Sequence, residues 1–411
     1  MLSAKTIAIV KATAPVLDIH GEALTRHFYK RMFSHNPEVA PLFNPSNQHA
    51  GSQQRALAAA ICAYAANIDN LEVLGSAVEL IAQKHASLRI KAEHYPIVGE
   101  NLLASIREVL GDAATDDIIN AWAEAYGFLA DILIGREAQI YKEQAEGAGG
   151  WEDFKKFRVI KKERESDNIT SFYLIPTAGG PLPSYKPGQY ITVRVPYGNN
   201  SSTMRNYSLS DVAGQDHLRI SVKRETGPKA DTPRGYVSNM LHDHVEAGHD
   251  VELAPPSGEF FLDTSERHQR PLVLLAAGVG ITPIITMLKS SLADVPERPV
   301  VLVHGCLHEG VQAFRDTIDT LAAQHSNLKI HYRYNEAAPN GATRALAPHV
   351  STGLIDAALI ETLVPARDAD YYFCGPKPFM VNIYHQLMAW GIPASQVHFE
   401  FFGPRQELQA A

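Results

Sequence analysis

Cysteine is scarce in this chain. Three occur in 411 residues (Cys62, Cys306 and Cys374), an odd number with no Cys-x-x-Cys pair. That excludes a disulfide framework and a thiolate zinc site, and a reducing cytoplasm is the expected compartment. A basic excess is missing too. The net charge is −8, whereas a nucleic-acid partner would call for a positive face. The amino-terminal stretch MLSAKTIAIVKATAPVL has lysines at positions 5 and 11, so no signal-peptide core develops. One uncharged run, PLVLLAAGVGITPIITML from Pro271 to Leu288, is long enough on paper to span a bilayer. Gly278, Gly280 and Pro283 interrupt it, which suits a buried strand, a glycine turn and a helix start instead. No integral membrane segment, internal repeat or low-complexity tract is expected.

Hydrophobic residues make up 45% and charged residues 20%, enough for two or three domains with separate cores. The chain changes texture twice. HGEALTRHFYKRMF, SQQRALAAAICAYAANI, IVGENLLASIREVL and DIINAWAEAYGFLADILIGREAQIYKEQ repeat with helical period, predicting an all-α domain over 1–146. EGAGGW then predicts a linker at 147–151. FKKFRVIKKERE, ITSFYLIPT, GQYITVRVPY and HLRISVKRE alternate with period two, predicting an antiparallel β-barrel over 152–264. Strands such as PLVLLAAG, PVVLVHG and DYYFCGP alternate with helical segments, predicting an α/β domain with a parallel sheet over 265–411.

The barrel segment carries KPGQY at 186–190 and RNYSLS at 205–210. Arg205, Tyr207 and Ser208 are expected to put cation and hydroxyl on one strand face and the aromatic ring on another. A flavin diphosphate needs such a set: a guanidinium for phosphate, a ring for stacking, hydroxyls for the polar edge. Gly235 and Ser238 in GYVSNML open a helix whose free N–H groups suit phosphate. In the α/β segment, AAGVGITP (276–283) follows a strand and opens a helix. Gly278 and Gly280 let the backbone approach a pyrophosphate, although Pro283 replaces the third glycine of the usual dinucleotide fingerprint. Cys374-Gly375-Pro376 ends a later strand, where an open sheet places its ligand crevice.

These motifs resemble the ferredoxin reductase superfamily, whose members pass hydride from NAD(P)H to FAD and electrons singly onward. The resemblance implies FAD contacts at Tyr190, Arg205, Asn206, Tyr207, Ser208, Gly235, Ser238, Phe401, Phe402, Gly403 and Pro404. It implies nicotinamide-dinucleotide contacts at Gly278, Val279, Gly280, Ile281, Thr282, Pro283, Cys374, Gly375 and Pro376.

The helical domain then supplies an electron acceptor. In LEVLGSAVELIAQKHASL, Val78, Ile81, Ala82 and His85 fall on one helical stripe, so His85 faces inward. With 18 histidines in the chain, an inward imidazole is more often a hydrogen-bonded core residue than an iron ligand. Its neighbours reverse that weighting. Tyr29 lies on an early helix, Phe43 in the PLFNP corner, and Gln53 and Leu57 four apart on one face. The whole chain from Leu2 to Pro404 is similar to the flavohaemoglobins: an all-α globin domain, an antiparallel β-barrel FAD domain and an α/β NAD(P)-binding domain. The resemblance implies haem, FAD and NAD(P)H as cofactors, with His85 as the proximal iron ligand.

Tyr29 and Gln53 would act on O2, with Tyr95 and Glu137 orienting His85. Phe43, Leu57, Val98, Leu102 and Trp122 would line an apolar haem pocket able to admit a lipid or azole. Lys84 and Phe401 would lie between haem and flavin and tune both potentials, and Asn206 stands where many relatives carry glutamine. The implied activity is nitric oxide dioxygenation by a cytoplasmic monomer, converting NO and O2 to nitrate at the expense of NAD(P)H. Two rivals remain open: an O2 carrier or sensor, and a flavin-centred reductase of hydroperoxides, quinones or free flavin. HGCLHEG, after the second strand, holds no arginine for a 2′-phosphate, which tilts the expectation toward NADH.

Overall fold

The computed structural model describes residues 2–43, 51–198, 201–227, 234–264, 270–336, 347–364 and 367–402. Among the described residues, five α-helices build the first domain: α1 (Ala4–His35), α2 (Ser52–Ala66), α3 (Gly75–Ser87), α4 (His94–Leu110) and α5 (Asp116–Glu146). The first helix begins far earlier than its most periodic segment and runs through Pro15. Ser3 caps it, accepting a 3.0 Å bond from the Thr6 N–H. A proline inside a helix costs roughly 3 kcal/mol. The fully buried Val10 and Met32 and the nearly buried Leu24 and Phe28 tie both halves of α1 to one core, which offsets that cost.

α1 packs on α2, α4 and α5, while α3 packs on α5. α5 is the one described helix long and apolar enough by composition to cross a membrane. Here it is a core helix, burying Trp122, Ala125, Leu133 and Glu137 against its neighbours.

The segment expected as a linker is closely packed. A side chain on Gly150 would stand 2.1 Å from the Gln144 carbonyl, and one on Gly149, at φ +70°, 2.2 Å from that of Leu182. Only glycine fits that turn. Trp151 then seats its indole on the barrel, donating to the Leu253 carbonyl at 3.0 Å.

Six strands follow: β1 (Lys155–Arg164), β2 (Ile169–Pro176), β3 (Tyr190–Tyr197), β4 (Ser201–Ser208), β5 (Leu218–Lys223) and, after helix α6 (Tyr236–His244), β6 (Asp250–Leu253). The sheet runs β4-β3-β6-β1-β2-β5. Its outer strands β4 and β5 meet through the Leu209–Ile220 bridge, which closes the barrel.

The last domain comprises β7 (Leu272–Ala277), α7 (Ile281–Asp294), β8 (Val300–Cys306), α8 (Arg315–Gln324), β9 (Leu328–Tyr334), β10 (Val350–Thr352), α9 (Ala357–Leu363), β11 (Asp370–Cys374), α10 (Lys377–Ala389) and β12 (Val397–Glu400). All its described strands run parallel, in the order β10-β9-β8-β7-β11-β12. The chain winds outward from β7 in both directions, so the switch point lies between β7 and β11. Helices cover opposite faces there, and the crevice outside the strand ends is the natural ligand site.

Candidate functional site

His85, near the end of α3, places Nδ1 2.8 Å from Glu137 Oε1 on α5. The Tyr95 hydroxyl, at the start of α4, donates to the same oxygen at 2.5 Å and lies 3.1 Å from His85 Nδ1. Glu137 is 2% exposed, so this carboxyl sits inside the protein with both partners fixed. Burial and the adjacent Glu137 push the Tyr95 phenol far above its ordinary range, keeping it a donor. A carboxylate only accepts, so His85 carries its proton on Nδ1 and leaves the Nε2 lone pair for a metal.

Across the domain, Tyr29 is 6% exposed. Burial raises its phenol strongly, opposed by its hydrogen bond with Gln53. Phe43 meets the Tyr29 ring edge-on at 5.7 Å. Leu57, Val98, Leu102 and Trp122 join Tyr29 in one apolar cluster, and the Trp122 indole donates to Thr13 at 3.0 Å. A second cluster, with Ala82, Ala86 and Leu133, carries the His85 helix and shares only Tyr126 and Leu129 with the first. Two apolar walls, an imidazole lone pair on one side and a phenol donor on the other, fit a haem.

The barrel offers its own set. Tyr190 is 4% exposed, and Gly258, at φ +114°, follows its ring so closely that a side chain there would stand 2.7 Å away. Strand parity corrects one expectation. Tyr190 pairs with Ser208 and Thr192 with Asn206, whereas Ile191 pairs with Tyr207 and Val193 with Arg205. Arg205 therefore shares its face with Tyr207, and Ser208 takes the other with Asn206; residues of equal parity share a side.

Burial depresses the Arg205 guanidinium, and among the described residues no carboxylate pairs with it. The Ser208 hydroxyl is buried and has no hydrogen-bond partner among them. An unpaired cation and an orphaned hydroxyl fit a diphosphate and a flavin edge. Gly235 caps α6, as expected, but the Ser238 hydroxyl is spent locally, donating to the Gly235 carbonyl at 3.1 Å and accepting from Glu225 N–H. Phe402 is exposed; Gly403 and Pro404 lie outside the described residues.

At the switch point, Gly278-Val279-Gly280 forms a 3-10 turn leading into α7. Gly278 takes φ +54°, and a side chain on Gly280 would stand 2.0 Å from the Cys374 carbonyl. Gly375 is also confined, by the side chains of Phe379 and Ala277. Thr282 donates to the Val279 carbonyl at 3.0 Å, Ile281 and Pro283 are buried, and Pro376 caps α10. Burial holds the Cys374 thiol well above its ordinary range, so it is a wall and not a nucleophile.

Residues 26–133 match the globin family, 156–262 the oxidoreductase FAD-binding domain and 274–385 the oxidoreductase NAD-binding domain. The chain is 50% identical over 410 residues to the flavohemoprotein of Rhodopirellula baltica, covering 100% of both chains. It is 47% identical over 411 residues to that of Halalkalibacterium halodurans, covering 100% of this chain and 99% of the relative. The chain belongs to the flavohemoprotein family. The crystal structure of a flavohemoglobin from Malassezia yamatoensis with bound FAD and heme matches with a TM-score of 0.84 at 27% identity, covering 98% of this chain and 100% of that one. The FAD/NAD-binding domain of nitric oxide dioxygenase from Vibrio cholerae matches with a TM-score of 0.53 at 35% identity, covering 61% and 99%.

In this chain the globin and reductase domains are braced together. Ser87, two residues beyond His85, accepts from the Asn206 amide at 3.3 Å while its own hydroxyl donates to Lys84 O at 2.8 Å. Gln83 accepts from Gly258 N–H at 3.3 Å, and Gln144 donates to Pro256 O at 3.1 Å and Ser257 Oγ at 2.9 Å. Asn206 therefore spends its amide on the helix that carries His85, with its oxygen taking the Thr192 hydroxyl at 2.9 Å.

Phe401 packs on Phe399, 6.0 Å away, whereas Lys84 stands 5.0 Å over the Tyr190 ring and faces the Glu400 carboxyl. Glu400 pairs with Cys374 across β11 and β12, which sets it at the crevice edge. Its signal in HFEFF was legible: the one charge in an aromatic strand, at the strand's ligand end.

Burial pushes the Glu400 carboxyl up to about 7, with Lys84 pulling the other way. Its folded-state pKa exceeds the ordinary 4.5, so the stability it contributes is full below that value and lost as pH rises through about 7. An infrared carboxylic-acid band is therefore expected at about pH 6, gone by about pH 8, and absent from Glu400→Gln. Lys84→Met should move the midpoint upward by about one unit, because it removes the opposing cation. An unshifted midpoint would show that Lys84 does not act on Glu400.

Proposed function

We propose that this oxidoreductase is a nitric oxide dioxygenase, in which two NO and two O2 become two nitrates for each NAD(P)H oxidised. The observation that carries the reading is the bracing of the His85 helix on the flavin face of the barrel, through Ser87–Asn206 and Gln83–Gly258. A carrier or sensor needs no such coupling to a reductase. When bound, haem supplies the iron at which O2 reacts and FAD divides the hydride pair into single electrons.

The chain supplies the rest. His85 offers Nε2, its ring held in place by Glu137 and Tyr95. Tyr29, buried beside Gln53, offers its hydroxyl to negative charge developing on the distal side. The apolar cluster of Leu57, Val98, Leu102 and Trp122 excludes water and offers a surface to an apolar ligand such as a lipid chain or azole. Arg205 and Ser208 hold the flavin nucleotide, and the 278–283 turn holds the nicotinamide nucleotide.

The deciding experiment follows dissolved NO in air-equilibrated buffer with holoprotein, with and without NADH. NADH-dependent NO loss that stops when O2 is removed is the expected result. Slow loss from protein shown to contain both haem and FAD would overturn the substrate and favour hydroperoxides or quinones.

A further inference from the structure

One side chain behind the nucleotide crevice belongs to none of its motifs. His304 lies within β8 opposite Ala276 of β7 and is fully buried. Its Nε2 is 3.1 Å from the Gly278 carbonyl oxygen and 3.3 Å from Cys306 Sγ. A carbonyl oxygen only accepts, so the proton sits on Nε2. Nδ1 has no partner among the described residues. Burial pushes the imidazole down to about 4, so the ring stays neutral and its donor does not vary across the physiological range. A neutral buried histidine with one ring nitrogen spent on a single carbonyl is a costly arrangement for mere packing.

That carbonyl begins the 278–280 turn. The turn's far end is held by Cys374, against which Gly280 is wedged, and by Thr282, which binds the Val279 carbonyl at 3.0 Å. At its near end the Gly278 oxygen takes one bond from Ile281 N–H, leaving a second lone pair for His304. The peptide unit is planar and trans, so drawing this carbonyl toward β8 turns the Val279 N–H the opposite way. We propose that His304 is a positioning residue for the nicotinamide nucleotide, fixing the Gly278–Val279 peptide so that its N–H faces the pyrophosphate. This rests on the reading of the 278–283 turn as the nucleotide site.

The test uses FAD-loaded full-length protein, equilibrium binding of NAD+ by calorimetry, and rapid-mixing measurement of flavin reduction by NADH. His304→Leu should weaken nucleotide binding about five- to tenfold, with FAD content and the limiting flavin-reduction rate within about twofold of native. His304→Gln places an amide nitrogen where Nε2 stood and should bring affinity back to within about twofold of native. His304→Asn ends its amide near Nδ1 and should behave like the leucine variant. A role in packing alone would shift thermal stability without sorting the variants by amide position. Native affinity in His304→Leu, or equal loss in the glutamine and asparagine variants, overturns the role. Native protein that never saturates with NADH would instead sink the nucleotide-site reading. Should His304→Leu not fold, the Gln–Asn comparison carries the test.

Discussion

Replacing His85 with alanine is expected to strip the haem and leave the flavin in place. Nε2 is the lone pair that the Glu137–Tyr95 pair sets free, and alanine offers no other donor on that wall. Haem content should fall below about a tenth of native, read from the Soret band against protein, with FAD absorbance retained. NO consumption should vanish with it. NADH should still bleach the flavin, because the barrel and crevice residues share no side chain with the His85 triad. Haem retained in full would refute the ligand assignment. Undiminished NADH oxidation with the physiological acceptor would favour a flavin-centred reductase.

Tyr29→Phe acts on the other wall and should leave haem content intact. Its consequence is faster O2 release, by at least about tenfold, since the lost bond runs from a phenol to a charged acceptor and such bonds contribute about 1.5–3 kcal/mol. The ring stays, so the contact with Phe43 and the apolar cluster persists and the fold should not change. The Gln53 amide loses its hydrogen-bond partner on Tyr29 in the variant, which separates this substitution from a simple deletion. Stopped-flow release of O2 from the reduced protein measures it, and an unchanged off-rate would remove Tyr29 from the distal role.

Much of this was legible in the sequence. The three textures map onto α1–α5, β1–β6 and β7–β12, because burying one face imposes period 3.6 on a helix and period two on a strand. The uncharged run from Pro271 to Leu288 resolves into β7, a glycine turn and α7, as its glycines implied. The site was less legible where one residue's meaning depends on a distant one. Glu137 reads as one more solvated glutamate until α3 and α5 cross and bring His85 to it. Arg205 and Ser208 were set on one face although they stand three apart, and strand parity forbids it. That Glu400 meets Lys84 depends on where β12 ends. His304 has no local signal: only the pairing of β7 with β8 turns it toward Gly278.

The helix α5 carries Trp122 in the distal cluster, Glu137 beneath His85, and Gln144 on the barrel at Pro256 and Ser257. Twenty-two residues separate its first and last functional side chains, roughly 33 Å of continuous helix. Chimeras that graft this globin onto another reductase must therefore respect a shared ruler. A splice within 144–151 would cut the Gln144 anchor or the Gly149–Gly150 turn. Exchange is best made beyond Trp151, and the recipient barrel must then supply a carbonyl and a hydroxyl for Gln144 and a seat for the indole.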